Sequence, residues 1–247
     1  MELQLGPIIP ELRFRLGDVR DRDRLCQSLA GVDICIHAAA LKHIDKCEAN
    51  PTEAVKTNIL GSMNVVEACL ECGVSRALLV STDKSCQPVN LYGATKLAAE
   101  KLFLAANAYN RTQFKIVRYG NVLASRGSVV ETFLDLRAQG IHEFKITDER
   151  MTRFWITVEA AADLVLTTLA SPVTIGIPRI PSMKITDLAR AIDPQCTFKI
   201  IGMRKGEKLH ECLVSPDEQV PGFENGYYSD KNHVWLTAEG LRKKVGL

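Results

Sequence analysis

The sequence lacks an apolar run long enough to cross a bilayer, which takes about 18 residues or more, and it lacks a large charge excess of either sign. Its 31 basic and 29 acidic side chains give a formal net charge of +2. Nucleic acids and acidic membranes bind clustered positive charge, so neither is indicated as a partner. Residues 1–7 also lack the basic start and apolar core of a secretory signal. We therefore expect a cytoplasmic protein that binds neither a membrane nor a nucleic acid.

The eight cysteines form neither a disulfide framework nor a zinc pattern, since they are scattered through apolar stretches. Cys69 and Cys72 form a CxxC pair, a spacing that is also typical of redox and zinc sites. No second Cys or His pair follows at zinc spacing, and the pair falls inside a predicted helix. Free cysteine packs as a small hydrophobic side chain, so we predict structural thiols and no metal.

Strands and helices alternate along the chain, which predicts an α/β protein with a parallel sheet. The 247 residues, 46% of them hydrophobic, suffice for one large domain or for a domain with a smaller lobe. The predicted strands are residues 12–17, 32–40, 76–80, 115–119, 144–146, 151–156, 173–180 and 198–201. The predicted helices are residues 21–29, 51–72, 92–107, 129–138, 158–169 and 185–192. The C-terminal residues show few periodic signals.

Two short segments combine residues suited to oxidising an alcohol. Thr82 follows the strand at 76–80, and Tyr92 and Lys96 open the next predicted helix. Ligands of open α/β sheets bind at the carboxyl ends of strands. Tyr92 and Lys96 are four residues apart and share one helix face, where the ammonium of Lys96 would lower the pKa of the phenol. The phenolate would take the hydroxyl proton while a nicotinamide takes the hydride, and Thr82 would hydrogen-bond to the reacting oxygen.

Several charged residues near other strand ends have both a functional and an ordinary interpretation. Asp83 and Lys84 add a second acid/base pair, which dehydration would need and a plain dehydrogenase would not, but such a pair can also be a solvated surface ion pair. Lys42 and His43 follow a small-residue turn at 38–40, where backbone can approach a cofactor; a lone histidine is more often packed or solvated. Candidates for a diphosphate clamp, which could equally be surface arginines, are Arg126, Arg153 and Arg204.

Seven segments occur in one order: GDVRD at 17–21, HAAALKH at 37–43, STDK at 81–84, NLYGATK at 90–96, RYGNV at 118–122, MTRFWIT at 151–157 and GEKLHE at 206–211. Together they resemble the inverting UDP-N-acetylglucosamine 4,6-dehydratases. These are extended short-chain dehydrogenase/reductases of the polysaccharide biosynthesis protein family that open the pseudaminic acid pathway. The resemblance runs from about residue 10 to about residue 215 of the chain. Tyr92 separates this group from the related retaining dehydratases, which usually carry Met there.

The resemblance implies NADP as cofactor and UDP-N-acetylglucosamine as substrate, in a protein that is usually a homo-oligomer. The C4 hydroxyl is oxidised, water is lost across C5 and C6, and hydride returns to C6 with C5 inverted. The implied catalytic residues are Thr82, Asp83, Lys84, Tyr92 and Lys96. The implied cofactor-binding residues are Asp18, Val19, Ala38, Ala39, Ala40, Lys42, Asn58, Tyr92, Lys96 and Tyr119. The implied substrate-binding residues are Lys42, Asn121, Arg126, Ser128, Arg153, Arg204 and Glu207.

The start of the family pattern is absent, because no G-x-x-G-x-x-G precedes Asp18 and a βαβ unit takes about 30 residues. We therefore expect a Rossmann-like parallel sheet lacking its first βαβ unit, with a small C-terminal substrate-binding lobe. Residues 1–123, joined by 151–181, would form an incomplete NADP-binding domain, and residues 124–150 and 182–247 a UDP-sugar-binding lobe. The strands at 12–17 and 32–40 would stand about 14 Å apart. The pyrophosphate would lose its helix N-terminus, so cofactor binding would be weak or absent.

Two alternatives to an N-terminally truncated dehydratase stay open. A catalytically inactive homologue would act as a partner subunit, docking on a complete subunit through its exposed sheet edge. A UDP-sugar 4-epimerase would share Tyr92 and Lys96 but has no need of Asp83 and Lys84.

Overall fold

The computed structural model describes residues 11–125 and 127–247. The strands there are β1 (Ile34–His37), β2 (Arg76–Val80), β3 (Gln113–Val117), β4 (Asn121–Val122), β5 (Glu143–Ile146), β6 (Thr152–Ile156), β7 (Ile175–Gly176), β8 (Ser182–Lys184), β9 (Thr197–Ile200), β10 (Cys212–Val214) and β11 (Tyr227–Tyr228). The helices are α1 (Arg22–Leu29), α2 (Ile44–Ala49), α3 (Pro51–Ala54), α4 (Gly61–Cys72), α5 (Leu91–Ala105), α6 (Val129–Ala138), α7 (Val158–Ala170), α8 (Ile185–Ile192) and α9 (Ala238–Val245).

A parallel sheet with strand order β1-β2-β3-β7 joins three strands from residues 34–117 with one from residues 175–176. Successive side chains of a strand point to opposite faces. Ala77 and Leu79 of β2 therefore pack in one core with Phe103 of α5, while Leu78 packs on the other face with Val165 of α7. Helices thus cover both faces of the sheet, and the predicted α/β fold with a parallel sheet is confirmed.

The predicted strand at residues 12–17 is wrong, because this segment is irregular in the structure. Strand β1 lies at the edge of the sheet, with Ile34 and Ile36 40% and 47% exposed. A strand needs a neighbour to pair its N–H and C=O groups, and within the described part of the chain no strand pairs with the outer edge of β1. Because residues 12–17 form no strand, the expected distance of about 14 Å between two strands does not apply to this structure.

One long helical segment, predicted at 51–72, runs from α3 through a π-helical stretch, Val55–Leu60, into α4. Pro51 begins this segment. Proline is favoured there because the N–H that it lacks would have no intrahelical partner at the start of a helix. Gly61 lets the preceding chain approach closely, since a Cβ there would lie 2.7 Å from the Val19 side chain. The segment ends at Gly73, which adopts the left-handed conformation common after helices.

The second half of the chain builds smaller sheets around a separate core. Strand β6 pairs with β4 in parallel and with β8 antiparallel, while β5 pairs with β9 and β10 with β11. Phe133 of α6 and Phe144 of β5 stack at 4.5 Å in a core that also contains Trp155 and Leu188. The strand predicted at 173–180 is much shorter, as β7, and the sequence did not predict α2, β10, β11 or α9. The predicted division into two lobes stays a prediction.

Over residues 11–125 and 127–247, no helix has the length and apolar character that crossing a membrane requires. Within the same residues, no three His, Cys, Asp or Glu side chains lie in an arrangement that could hold a metal ion.

Candidate active site

The turn after β2 carries three of the predicted catalytic residues. Asp83–Ser85 form a single 3-10 turn, and Thr82 caps it by accepting a hydrogen bond from the Lys84 amide at 3.3 Å. The backbone of the turn is tied to the continuation of β3, since the amide of Asp83 donates to the Tyr119 carbonyl at 3.0 Å. Thr82, Asp83 and Lys84 are thus held at the carboxyl end of the central strand, where ligands of such sheets bind.

The first turn of α5 lies directly against this catalytic turn. Asn90 caps the helix by accepting from the Gly93 amide at 2.8 Å. Gly93 has to lack a side chain, because a Cβ there would clash with the carbonyl oxygen of Lys84. This contact brings Tyr92 beside Thr82 and Lys84, so the structure brings together the residues of the two predicted segments.

Burial dominates the electrostatics of the predicted oxidation residues. Burial raises the pKa of the Tyr92 phenol to about 12, although the charge of Lys84 and a hydrogen bond with the Thr82 hydroxyl act to lower it. Burial lowers the pKa of Lys96 to about 8, and its ammonium donates to the Val80 carbonyl at 2.8 Å. Lys84 is therefore the lysine whose charge acts to lower the pKa of the phenol, and the predicted effect of Lys96 on the phenol stays a prediction.

His37 lies in the same buried region, at the end of β1. Its Nε2 lies 3.0 Å from the Ser62 hydroxyl. Burial, helped by the charge of Lys96, lowers the pKa of His37 to about 4, so this histidine is neutral at physiological pH.

Lys84 forms the charged centre of the site. Its ammonium lies 2.9 Å from Asp83 Oδ1, 3.2 Å from Asn121 Oδ1 and 3.5 Å from Glu211 Oε1. Burial raises the pKa of Asp83 by more than the neighbouring ammonium lowers it. Although burial acts in the opposite direction, the charges of Asp83 and Glu211 raise the pKa of Lys84. The predicted pair is therefore a buried ion pair and not a solvated one.

Glu211 is a site residue to which the sequence analysis gave no role. It is 2% exposed, and its only signal was its place at the end of the GEKLHE segment. Arg153 is buried nearby, with its Nε 3.6 Å from Glu211 Oε1. The rest of its guanidinium donates to the carbonyls of Thr152, Leu209 and Lys208, which braces the segment before Glu211. The predicted contact between Arg153 and a diphosphate stays a prediction.

The predicted cofactor residues fall into two groups. Ala38, Ala39 and Ala40 follow β1, and Ala38 and Ala39 are exposed, as a surface for a ligand requires. Asn58, in the π-helical stretch, is buried and binds protein groups: the Leu41 backbone at 2.8 and 3.0 Å and the Thr95 hydroxyl at 3.0 Å. Asn58 therefore fixes the chain after Ala40 to α5.

The other predicted cofactor residues include Asp18, Val19, Lys42 and Tyr119. Hydrogen bonds from Arg20 lower the pKa of Asp18 to about 2, and Arg20 also pairs with Glu53 at 2.8 Å. Val19 packs against Gly61 and Lys42 is exposed. Tyr119 is half-buried after β3, where burial raises the pKa of its phenol.

The structure places the predicted substrate residues on several separate segments. Asn121 reaches Lys84 from β4, and Ser128 caps α6 by accepting from the Glu131 amide at 3.3 Å. Glu207 accepts from the amide of Arg204 at 3.1 Å, and Asn90 donates to the Gly206 carbonyl at 2.7 Å. The Arg204–Glu207 loop is thus joined to the first turn of α5. Arg126 lies outside the described residues.

The described residues fit one end of a nicotinamide dinucleotide. Tyr92 and Lys96 are buried at the strand ends, and the small residues 38–40 leave an exposed surface after β1. Within residues 11–125 and 127–247 there is no glycine-rich turn that would cradle the pyrophosphate. The fit is therefore to the nicotinamide end.

Comparisons with known proteins agree with the motif order. A family described as "Polysaccharide biosynthesis protein" matches residues 5–230. The chain is 52% identical over 225 residues to UDP-N-acetylglucosamine 4,6-dehydratase (inverting) from Campylobacter jejuni, covering 88% of this chain and 67% of that protein. It is 37% identical over 254 residues to UDP-glucose 4-epimerase from Rickettsia canadensis, covering 96% and 74%.

A solved structure, Pen from Bacillus thuringiensis, is 29% identical with a TM-score of 0.87 and covers 98% of this chain and 84% of that one. The resemblance inferred from the motifs is thus confirmed over most of the chain. This chain belongs to the polysaccharide biosynthesis protein family and is a relative of the inverting UDP-N-acetylglucosamine 4,6-dehydratases.

Proposed function

We propose that this protein catalyses NADP-dependent 4,6-dehydration of UDP-N-acetylglucosamine, with inversion at C5, to a 4-keto-6-deoxy UDP-sugar. The observation that carries the proposal is the buried Asp83–Lys84 pair, 2.9 Å apart, beside Tyr92 and Thr82. Oxidising an alcohol needs a group that takes the hydroxyl proton, and Tyr92, with Thr82 and Lys96, would supply it. Removing water as well needs a second group that can take and give a proton, and this pair supplies it.

Tyr92 serves the oxidation of the C4 hydroxyl. NADP, when bound, would supply a hydride acceptor for the oxidation at C4 and a hydride donor for C6. The phenol carries its proton at neutral pH, since burial raises its pKa to about 12. The ammonium of Lys84 and the Thr82 hydroxyl act to lower that value, so they favour the phenolate that takes the C4 hydroxyl proton.

Asp83 and Lys84 serve the loss of water. A ketone at C4 makes the C5 proton acidic, and the electrons of the C5–H bond form the C5–C6 double bond as the C6–O bond breaks. The pair takes the C5 proton and gives a proton to the departing oxygen, which leaves as water. The raised pKa of Asp83 suits this exchange, because its carboxyl can hold a proton closer to neutral pH than an exposed one can.

The other predicted residues keep their proposed roles. The cofactor would lie along residues 38–40, Lys96 and Tyr119, and the UDP-sugar would contact Asn121 and the Arg204–Glu207 loop. We also propose that the protein works as a homo-oligomer.

A UDP-sugar 4-epimerase is the second candidate, favoured by the 37% identity to the Rickettsia UDP-glucose 4-epimerase. An epimerase would return the hydride to C4 and leave C6 unchanged. It would have no task for the Asp83–Lys84 pair.

The test incubates the chain with UDP-N-acetylglucosamine and NADP, or NAD in a parallel sample, and follows the sugar by NMR. We expect a 4-keto-6-deoxy product that carries deuterium at C5 when the solvent is D2O, because C5 is reprotonated from exchangeable groups. Lys84→Met should slow water loss by about 100-fold or more while the absorbance of reduced cofactor still appears, and Tyr92→Phe should suppress both. The C4 epimer as sole product would refute the proposal.

Cofactor affinity is measured first, by NADPH fluorescence. The sequence predicts weak binding, and micromolar affinity would contradict that prediction.

A further inference from the structure

A second carboxylate shares the ammonium of Lys84. Glu211 directly precedes β10, and its Oε1 lies 3.5 Å from Lys84 Nζ, while Asp83 Oδ1 lies 2.9 Å from the same nitrogen. Ser229 fixes the backbone of Glu211, because its hydroxyl accepts from the Glu211 amide at 2.8 Å. Lys84 is thus held between two buried carboxylates that come from distant parts of the chain.

The two carboxylates differ in their surroundings. Glu211 faces two further cations, Arg153 Nε at 3.6 Å and Lys208 Nζ at 3.8 Å. Asp83 is fully buried, and its Oδ1 accepts from Lys84 and from the Thr82 hydroxyl. Opposite charge nearby favours the ionised form of a carboxyl group, and burial opposes it. Although burial acts to raise it, the three cations lower the pKa of Glu211, whereas burial raises that of Asp83.

Each carboxylate also keeps one buried oxygen available. Asp83 Oδ2 and Glu211 Oε2 accept no hydrogen bond from any group in the described part of the chain. Buried acceptors are nearly always satisfied in native proteins. These two oxygens are therefore the acceptors that remain for a substrate hydroxyl or a water, with Lys208 Nζ 3.8 Å from Glu211 Oε2.

We propose that Glu211 is a positioning residue of the dehydration: it serves as the permanent counter-ion of Lys84 and so leaves Asp83 free to take up and release a proton. The inference rests on the proposed function. One ammonium needs only one negative charge to balance it. Glu211 faces two further cations, so it is the carboxylate that stays ionised and balances Lys84. Without Glu211, Asp83 would have to stay ionised to balance Lys84.

The charged and titratable groups that face Lys84 come from four elements. They are Asp83 in its own turn, Tyr92 of α5, Arg153 of β6 and Glu211 before β10, and the neutral amide of Asn121 from β4 accepts from the same ammonium. Arg153 acts to lower the pKa of Lys84, so it cannot replace Glu211 as the source of the negative charge. Removing Glu211 is expected to lower the pKa of both Lys84 and Asp83, since its charge raises both.

The test measures the titration of Lys84 itself and needs neither cofactor nor substrate. Trace acetylation with acetic anhydride at a series of pH values, quantified peptide by peptide, reports when each lysine loses its proton. In Glu211→Gln we expect Lys84 to be acetylated about tenfold faster or more at a given pH, the effect of a pKa lowered by about one unit, with exposed Lys101 unchanged. Glu143→Gln, a matched change at an exposed carboxylate, is expected to leave Lys84 as in the wild type.

A second variant keeps the test decisive if Glu211→Gln fails to fold. Glu211→Asp keeps the charge but withdraws it from Lys84, so a smaller shift in the same direction is expected. An unchanged Lys84 titration in the folded variants overturns the inference. A shifted titration in a chain that forms no 4-keto-6-deoxy sugar refutes the proposed function and leaves Glu211 as the counter-ion of Lys84.

In the active protein the pH profile of water loss supplies a further readout. Glu211→Gln should move the profile to lower pH by about one unit, because both members of the acid/base pair lose their protons more readily. A uniform loss of rate at every pH, with an unmoved profile, would mean that Glu211 is merely structural and would overturn the inference.

Discussion

Glu100 of α5 is hydrogen-bonded to both ends of the turn at residues 82–84. Its replacement by glutamine is expected to destabilise the protein. The carboxylate is 1% exposed. Its Oε1 accepts from the hydroxyls of Ser81 at 2.5 Å and Ser85 at 2.6 Å, the two residues that flank Thr82–Lys84. Both of its oxygens also accept from the buried guanidinium of Arg118, at 3.2 and 2.6 Å. The Glu100 carboxylate thus accepts hydrogen bonds from three buried side chains.

The expected cost follows from the partners that remain. Removing one member of a buried ion pair typically costs about 3–5 kcal/mol, because the other charge stays buried. Arg118 keeps Glu218, at 2.8 and 2.9 Å, and the Leu213 carbonyl at 2.8 Å, which places the cost at the low end. We expect Glu100→Gln to lower the free energy of unfolding by about 3 kcal/mol. In a protein of this size that corresponds to a fall in Tm of about 6–12 °C.

Urea denaturation at pH 7, followed by circular dichroism, measures this change. The matched control is Asp187→Asn, which removes a carboxylate from an exposed pair with Arg190 at 3.7 Å and should cost less than about 0.5 kcal/mol. If Glu100→Gln lies within about 1 kcal/mol of the wild type, the buried network does not hold the turn and the reasoning fails.

Three further predictions concern the same region. Gly93→Ala should cost about 2–3 kcal/mol in urea denaturation and displace Lys84, because the added Cβ meets the Lys84 carbonyl; a neutral effect would contradict this packing. Burial lowers the pKa of Lys96 to about 8, so the unfolded chain binds more protons than the folded one above that pH. From pH 8 to 10 the wild type should therefore gain about 2 kcal/mol relative to Lys96→Met, and an equal pH dependence would refute this. The sulfurs of Cys86 and Cys212 lie 3.0 Å apart, so diamide should link them in a disulfide that peptide mass spectrometry detects and that Cys86→Ser lacks.

Local sequence signals predicted the elements whose stability is local and missed those that depend on a partner. Strand β2 and helices α6 and α8 appear at the predicted residues, because an apolar run or a helical period is enough to specify them. Residues 12–17 carry a strand pattern but no strand. The alternating pattern indicates which face of a strand would be buried, but it does not indicate whether a neighbouring strand is present to pair with the backbone. Strands β10 and β11 are too short for periodicity to signal, and among the described residues each pairs with no strand but the other.

The site was predictable where its residues are close in sequence. Thr82, Asp83, Lys84 and Tyr92 follow from one strand end and the start of the next helix, and the structure brings them together. Glu211 was missed because it reaches Lys84 from a segment far along the chain, and a lone glutamate in a loop predicts nothing by itself. Helical spacing placed Lys96 on the correct face but could not show that its ammonium bonds to the Val80 carbonyl.

The two buried networks meet in the same C-terminal segment, and this decides how the catalytic turn is positioned. Glu211 pairs with Lys84 from one side, while Arg118 connects Glu100, beneath the turn, to the Leu213 carbonyl and to Glu218. The turn itself has only a short 3-10 hydrogen-bonding pattern, so it has little rigidity of its own. Its geometry must therefore be imposed by both α5 and the chain from 211 to 218. That segment therefore holds the candidate site in place as much as the strand end that carries Lys84 does.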